Sequence, residues 1–221
     1  MLEKIKKLFS FALTTVYPDR CPFCNELVDT GKCACEKCEK DIPENGMLQG
    51  VNGGYRCVST FYHKDKFRYA LLNFKFKGKT QYAQQFATIM HREIKRSYED
   101  VVFDVITYVP MHKTAEFFRG YNQCQLLAKE LSKQMGIPHK ALLIKKKKTK
   151  PQHKLNGKER NTNLKGAFSV IDKKDVKGKN ILLIDDIITT GATLGECTKT
   201  LSKSKPLSIY CLTLSCACPI D

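Results

Sequence analysis

A chain of 221 residues is long enough to bury a core without disulfide staples, and 42% hydrophobic with 27% charged residues excludes pervasive disorder. Thirty-eight Lys and Arg against 22 Asp and Glu leave a net charge of +16. That field attracts polyanions such as nucleic acid, phosphorylated metabolites or acidic membrane surfaces, although a lysine-rich solvated surface gives the same total.

At the N-terminus, Leu2, Ile5, Phe9, Ala12 and Val16 fall on one stripe at helical spacing and predict a short docking helix. The charged start followed by apolar residues mimics a signal peptide, but no small-residue cleavage site follows. The apolar run is far too short to span a bilayer, so the expectation is not an integral membrane protein. Residues 17–46 are rich in Cys, Pro, Gly and charge, with too little apolar content for a core of their own. Cys21-Pro-Phe-Cys24 and Cys35-Glu-Lys-Cys38 form two C-x-x-C knuckles, a spacing that lets four thiolates converge on Zn²⁺. Cys33 competes with Cys35 for a ligand position, and reduced surface thiols or a redox pair are the competing reading. Four protein ligands make the zinc structural. Eleven cysteines clustered this unevenly argue against a secreted disulfide framework and for a reducing, cytoplasmic compartment. The division that follows is a helix and four-cysteine zinc module over 1–48 and the main domain over 49–221.

Beyond the module, the sequence predicts a strand over Arg56 to Tyr62 and a helical stretch that stops at Gly78. Helices are predicted at 80–97, 121–135 and 193–203, and strands at 104–109, 167–171, 180–185 and 207–214. This alternation predicts an α/β fold, a parallel sheet flanked by helices. The nearly continuous apolar runs at 180–185 and 208–214 read as central strands. Ahead of them, residues 145–165 are long, basic and nearly free of apolar side chains, which predicts a mobile loop. Its cations Lys145, Lys146, Lys147, Lys148, Lys150, Lys154, Lys158 and Arg160 form a strip able to track a phosphate backbone. Phe74, Phe76, Tyr82 and Tyr121 are candidate stacking faces, although aromatics at such spacings equally fit a core.

The informative stretch runs from Ile181 to Leu194, where an apolar strand ends in Asp185 and Asp186 and turns through Thr189, Thr190, Gly191, Ala192 and Thr193 into a helix. Backbone N–H groups at a helix N-terminus and nearby hydroxyls make an anion site, and a phosphate is its natural occupant. Gly191 lets the backbone approach a ligand closely. The two carboxylates are suited to accept hydrogen bonds from sugar hydroxyls or to hold a metal's water shell.

An apolar strand ending in two acids, two apolar residues and Thr-Thr-Gly-Ala-Thr resembles the phosphoribosyl-pyrophosphate (PRPP) motif of the type I phosphoribosyltransferases. The resemblance implies that Asp185 and Asp186 hold the ribose 2′ and 3′ hydroxyls and are the candidate catalytic residues. It also implies that 189–193 cradle the 5′-phosphate and that Mg²⁺ accompanies PRPP. By position, His112 and Lys113 after the strand at 104–109 would meet the pyrophosphate, with Arg119 close behind; an exposed polar turn is the alternative. Val109-Pro110, Arg119-Gly-Tyr-Asn-Gln123, Gln152 to Leu155 with Glu159-Arg160, Asn163-Leu-Lys-Gly-Ala-Phe168, the cysteine pairs and Lys75-Phe-Lys-Gly78 fall in the order of the ComF-type competence proteins. The resemblance covers almost the whole chain. It implies PRPP binding, single-stranded DNA binding and a part in DNA uptake beside other components of that machinery. One departure stands out: where the family places arginine between the Pro turn and Arg-Gly, this chain has Thr114-Ala-Glu-Phe-Phe118. The competing functions are a nucleobase salvage transferase that releases pyrophosphate, for which no base-reading hood is recognisable, and a sensor that kept the pocket without turnover.

Overall fold

The computed structural model describes residues 19–51, 53–147, 149 and 163–217. The docking helix read over Leu2 to Val16, and Lys148, Lys150, Lys154, Lys158 and Arg160 of the basic segment, lie outside the described residues.

In chain order the elements are α1 (Glu36–Glu39), β1 (Met47–Val51), β2 (Tyr55–Tyr62), α2 (Asp65–Phe76), α3 (Tyr82–Ser97), β3 (Val105–Tyr108), α4 (Lys113–Arg119) and α5 (Gln123–Met135). They continue with β4 (Leu143–Lys145), β5 (Phe168–Val170), β6 (Asn180–Ile188), α6 (Ala192–Ser202) and β7 (Ser208–Cys216). The main sheet has the order β1-β2-β7-β6-β3, with β1 antiparallel to β2 and all other neighbours parallel.

Because side chains alternate across a strand, the apolar runs of β6 and β7 serve two cores at once. Leu182, Ile184, Leu212 and Leu214 pack with α2, α3 and α5 on one face. Ile181, Leu183, Ile209 and Cys211 pack with α6, β4 and β5 on the other. Helix α3 buries Tyr82, Ala83, Phe86, Ala87, Ile89, Met90 and Ile94, the stripe expected of a helix with one core-facing side. The Asn122 side chain caps α5 by accepting from the Cys124 and Gln125 amides, at 2.9 and 3.4 Å, and Gly136 at φ +68° closes the helix.

Two expectations change. The strand predicted at 167–171 does not join the parallel sheet; it pairs antiparallel with β4 in a separate two-stranded sheet, Leu143 opposite Val170. The chain between β5 and β6 is shorter than the dozen or so residues a parallel crossover needs and contains only a 3₁₀ turn, so β5 closes back on the strand before the basic segment. Strand β1 has no strong signal in the sequence, since Met-Leu-Gln-Gly-Val beside two glycines carries weak β propensity. It forms because β2 offers it an open edge.

The cysteine-rich segment is fastened to the main core. Phe23 sits with its ring centroid 5.0 Å from Phe67, 6.0 Å from Phe61 and 6.2 Å from Phe86. Cys21, Cys33 and Cys38 belong to the same buried cluster. Burying one Phe stabilises by about 1.5–3 kcal/mol, so Phe23 anchors residues that have little apolar surface otherwise. Among the described residues, no helix is long and apolar enough to cross a membrane.

Candidate functional site

In a parallel sheet the carboxyl ends of the strands open a crevice, and chemistry gathers there. Strand β6 runs to Ile188, three residues past the end predicted at 185, and holds Asp185 and Asp186 just before that end, 8% and 3% exposed. The chain then turns at Gly191, φ +69°, a conformation that favours glycine, and α6 begins at Ala192. A Cβ added to Gly191 would lie 3.8 Å from the Gly50 carbonyl oxygen and the Val51 Cα, so the turn rides on β1. Gly191 and Ala192 are buried, Thr189 and Thr193 half-buried and Thr190 exposed, so the bend opens outward through its hydroxyl residues.

Two buried carboxylates side by side are costly unless partnered. Lys75 of α2 brings its Nζ 2.8 Å from Asp186 Oδ1, and the Gln123 amide donates to Asp186 Oδ2. Gln123 Oε1 in turn accepts from Arg119 at 2.7 Å, and the Arg119 guanidinium lies 4.8 Å over the ring of Phe76. Asp185 has weaker partners: the Asp186 amide donates to its Oδ1 at 2.9 Å and the Cys124 thiol at 3.3 Å. Burial, followed by the negative charge of Asp186, pushes the Asp185 carboxyl up to about 7, against the pull of the Asp186 amide, Lys75 and Cys124. Burial and both aspartates hold the Cys124 thiol well above its usual value, so it stays protonated and donates.

A raised carboxyl pKa has a definite consequence for stability. The folded chain binds more protons than the unfolded one between about pH 4 and the raised value, so this contribution is full below about pH 4 and is lost as pH rises to about 7. Asp185→Asn is therefore expected to raise Tm on the order of 10 °C at pH 8 and to leave it unchanged at pH 4, read by thermal melts at both pH values. Equal shifts at the two pH values would show that Asp185 is ionised throughout.

The other sequence-derived candidates distribute as follows. Arg119 reaches the acidic pair through Gln123. His112 and Lys113 stand at the head of α4, beyond the end of β3, the strand next to β6. His112 Nδ1 caps α4 by accepting from the Thr114 amide at 3.3 Å, and Lys113 is exposed. Lys145 ends β4 with its Nζ 5.6 Å over the ring of Phe168. Lys145 is half-buried, and burial pushes its ammonium below its usual value, against the pull of Cys197 and Asp185. Lys147 bonds the Lys165 carbonyl at 3.1 Å. Of the four candidate stacking aromatics, Phe74 and Tyr82 are buried, Tyr121 is half-buried and bonds the Phe74 carbonyl, and Phe76 is exposed.

The crevice also contains groups that sequence reasoning had not assigned to it. Besides Lys75, Gln123 and Cys124, His63 follows β2 and pairs with Ser215 Oγ at 3.3 Å. Burial and the charges of Lys75 and Arg68 lower the His63 pKa, against Asp186, and keep the imidazole neutral near pH 7. The signal for Lys75 and Gln123 was their position in the Lys-Phe-Lys-Gly and Arg-Gly-Tyr-Asn-Gln segments; His63 had none.

A second cluster lies in the cysteine-rich segment. The Sγ atoms of Cys21, Cys24, Cys35 and Cys38 all lie within 4.8 Å of one another, with Cys24 and Cys35 3.5 Å apart. Tetrahedral thiolates about 2.3 Å from a metal stand roughly 3.8 Å apart, so this donor set fits a structural metal centre. Burial would raise the Cys21 thiol, but the Cys35, Phe23 and Cys24 amides, and then the Cys24 thiol, outweigh it and hold Cys21 below its usual value. Cys33 faces away and donates to Glu39 Oε2 at 3.0 Å, which leaves the fourth position to Cys35.

A family model, the phosphoribosyl transferase domain, matches residues 122–217, from the cap of α5 through β7. Sheet order, acidic strand end and glycine bend thus define a protein of the phosphoribosyltransferase class. Competence protein ComFC of Bacillus subtilis is 30% identical over 199 residues, covering 88% of this chain and 76% of that one. The DNA utilization protein YhgH of Escherichia coli K12 is 25% identical over 203 residues, covering 87% of this chain and 88% of that one. Competence protein F of Haemophilus influenzae is 36% identical over 135 residues, 59% of either chain, so the match spans little more than half of that relative. The chain belongs to the ComFC-like family of type I phosphoribosyltransferase-fold proteins.

Proposed function

We propose that this protein binds PRPP in the crevice at the end of β6 and takes part in the uptake of single-stranded DNA. The observation that carries the reading is the buried pair Asp185 and Asp186 delivered to the mouth of a glycine bend that starts α6. In this reading the two carboxylates accept from the ribose 2′ and 3′ hydroxyls, and the amides and hydroxyls of residues 189–193 hold the 5′-phosphate. Lys75 and Gln123, which satisfy Asp186 without a ligand, and Arg119, which positions Gln123, form a polar wall able to exchange partners when the sugar enters. His112 and Lys113 then meet the pyrophosphate, where Mg²⁺ would supply charge neutralisation.

The likeness to proteins named for competence and DNA utilization supports the DNA part of the proposal, as does the net charge of +16. Lys145, Lys146, Lys147, Lys148, Lys150, Lys154 and Arg160 are the cations we assign to the phosphate backbone. The four-thiol centre would hold zinc, which fixes the chain around residues 21–38 and does no chemistry. The place of action is the cytoplasm, beside other components of DNA uptake.

The decisive experiment measures pyrophosphate release from PRPP and Mg²⁺, with free nucleobases and with single-stranded DNA offered separately. Release with a free base alone would establish a salvage transferase and remove the DNA reading. PRPP binding without release would establish a binder.

A further inference from the structure

The short helix α4 is unusual in burying none of its residues. Its Phe117 and Phe118 are 83% and 82% exposed, with ring centroids 5.8 Å apart at an interplanar angle of 78°. The next residue, Arg119, lies over Phe76, itself 65% exposed at the end of α2. The Phe117–Phe118 ring pair and, beside it in the chain, Arg119 over Phe76 present three phenylalanine rings to water on two elements joined by that cation contact, whereas scattered single apolar residues would need no explanation.

The charge around the rings selects the partner. Within 76–79 and 113–119, Lys77, Lys79, Lys113 and Arg119 face a single carboxylate, Glu116. The three lysines are exposed and the guanidinium half-buried. Exposed flat rings interleaved with cations fit a ligand that offers aromatic faces and regularly spaced negative charges. Unpaired bases have free faces, whereas a duplex shows only base edges in its grooves. The surface is also wired to the crevice: Arg119 holds Gln123, and Gln123 holds Asp186.

We propose that Phe76, Phe117, Phe118 and Arg119 form a stacking platform for unpaired bases of a single-stranded polynucleotide at the rim of the ribose-phosphate crevice. The proposal rests on the nucleic-acid part of the function given above and assigns it a surface distinct from the lysine strip. Bases stack on the rings while Lys77 and Lys79 follow the phosphates. A strand seated there would report its presence to Asp186 through two hydrogen bonds.

The test uses the full chain, a fluorescent oligothymidylate and a duplex of equal length. Phe117→Ala with Phe118→Ala is expected to weaken single-strand affinity by about 10- to 100-fold, to leave duplex affinity and PRPP affinity unchanged, and to keep the salt dependence. The Phe117→Leu, Phe118→Leu pair keeps the apolar area without the ring faces and should lose affinity equally, while Tyr at both positions should restore it. If the unsubstituted protein binds no oligonucleotide, the nucleic-acid part of the proposed function falls. If it binds and the Ala or Leu pair binds as tightly, the platform alone is wrong. A monomer produced from a dimer by the Ala pair would identify a second copy of this chain as the occupant and likewise overturn it.

Discussion

Asp185→Asn combined with Asp186→Asn is expected to weaken PRPP binding by about 100-fold or more while the chain stays folded. Hydrogen bonds to an ionised partner are each worth about 1.5–3 kcal/mol, and two lost together give about 10²- to 10⁴-fold. The fold tolerates the change because the Asn oxygen at 185 keeps the Cys124 thiol and the residue 186 amide as donors and the one at 186 keeps the Lys75 ammonium, so only the bond from the Gln123 amide is lost. At Asp185 the substitution removes a carboxyl that burial already disfavours. Stability and ligand affinity should therefore move in opposite directions at neutral pH, as at sites that hold destabilised groups for function. Calorimetric titration of the double variant with PRPP and Mg²⁺ measures the effect. Affinity equal to the unsubstituted protein would take the sugar away from these residues.

The second large effect concerns the metal. Cys35→Ser should abolish metal retention, whereas Cys33→Ser should leave about one metal ion per chain, because only the Cys35 sulfur lies among the other three. Without the metal, residues 19–46 keep Phe23 in its pocket and the Arg92–Glu39 ion pair, but lose the crosslink that joins the two knuckles. A loss of about 2–3 kcal/mol, about 5–10 °C in Tm, follows, with cleavage by protease confined first to this segment. Metal content by chromogenic chelation, beside thermal melts, reads both parts. Retention of the ion by Cys35→Ser with its loss in Cys33→Ser would exchange the two assignments.

Local chemistry made some of this site readable without coordinates. The run Ile181-Leu-Leu-Ile announces a buried strand by its lack of alternation, and acids at its end followed by Thr-Thr-Gly announce a polar ligand, because burial without a partner would be too costly. The two C-x-x-C knuckles announce a metal for the same reason. The choice between Cys33 and Cys35 was not readable, since the residues are two apart and both can reach the knuckle until the backbone fixes which thiol points inward.

Residue order alone was enough for the class of the sheet, its two central strands, the acidic strand end and the four-thiol donor set, since each is written in residues that are close together in the chain. Packing was needed to show that β5 leaves the main sheet, that β1 joins it, and that Lys75, His63 and Gln123 gather at the carboxyl end of the sheet. These residues come from α2, the end of β2 and the start of α5, and they meet because the parallel order brings separate strand ends to one edge. The exposed rings of α4 belong to the same category: apolar side chains in a sequence read as core, and only the packing around them shows that nothing else in the described chain covers Phe117 and Phe118.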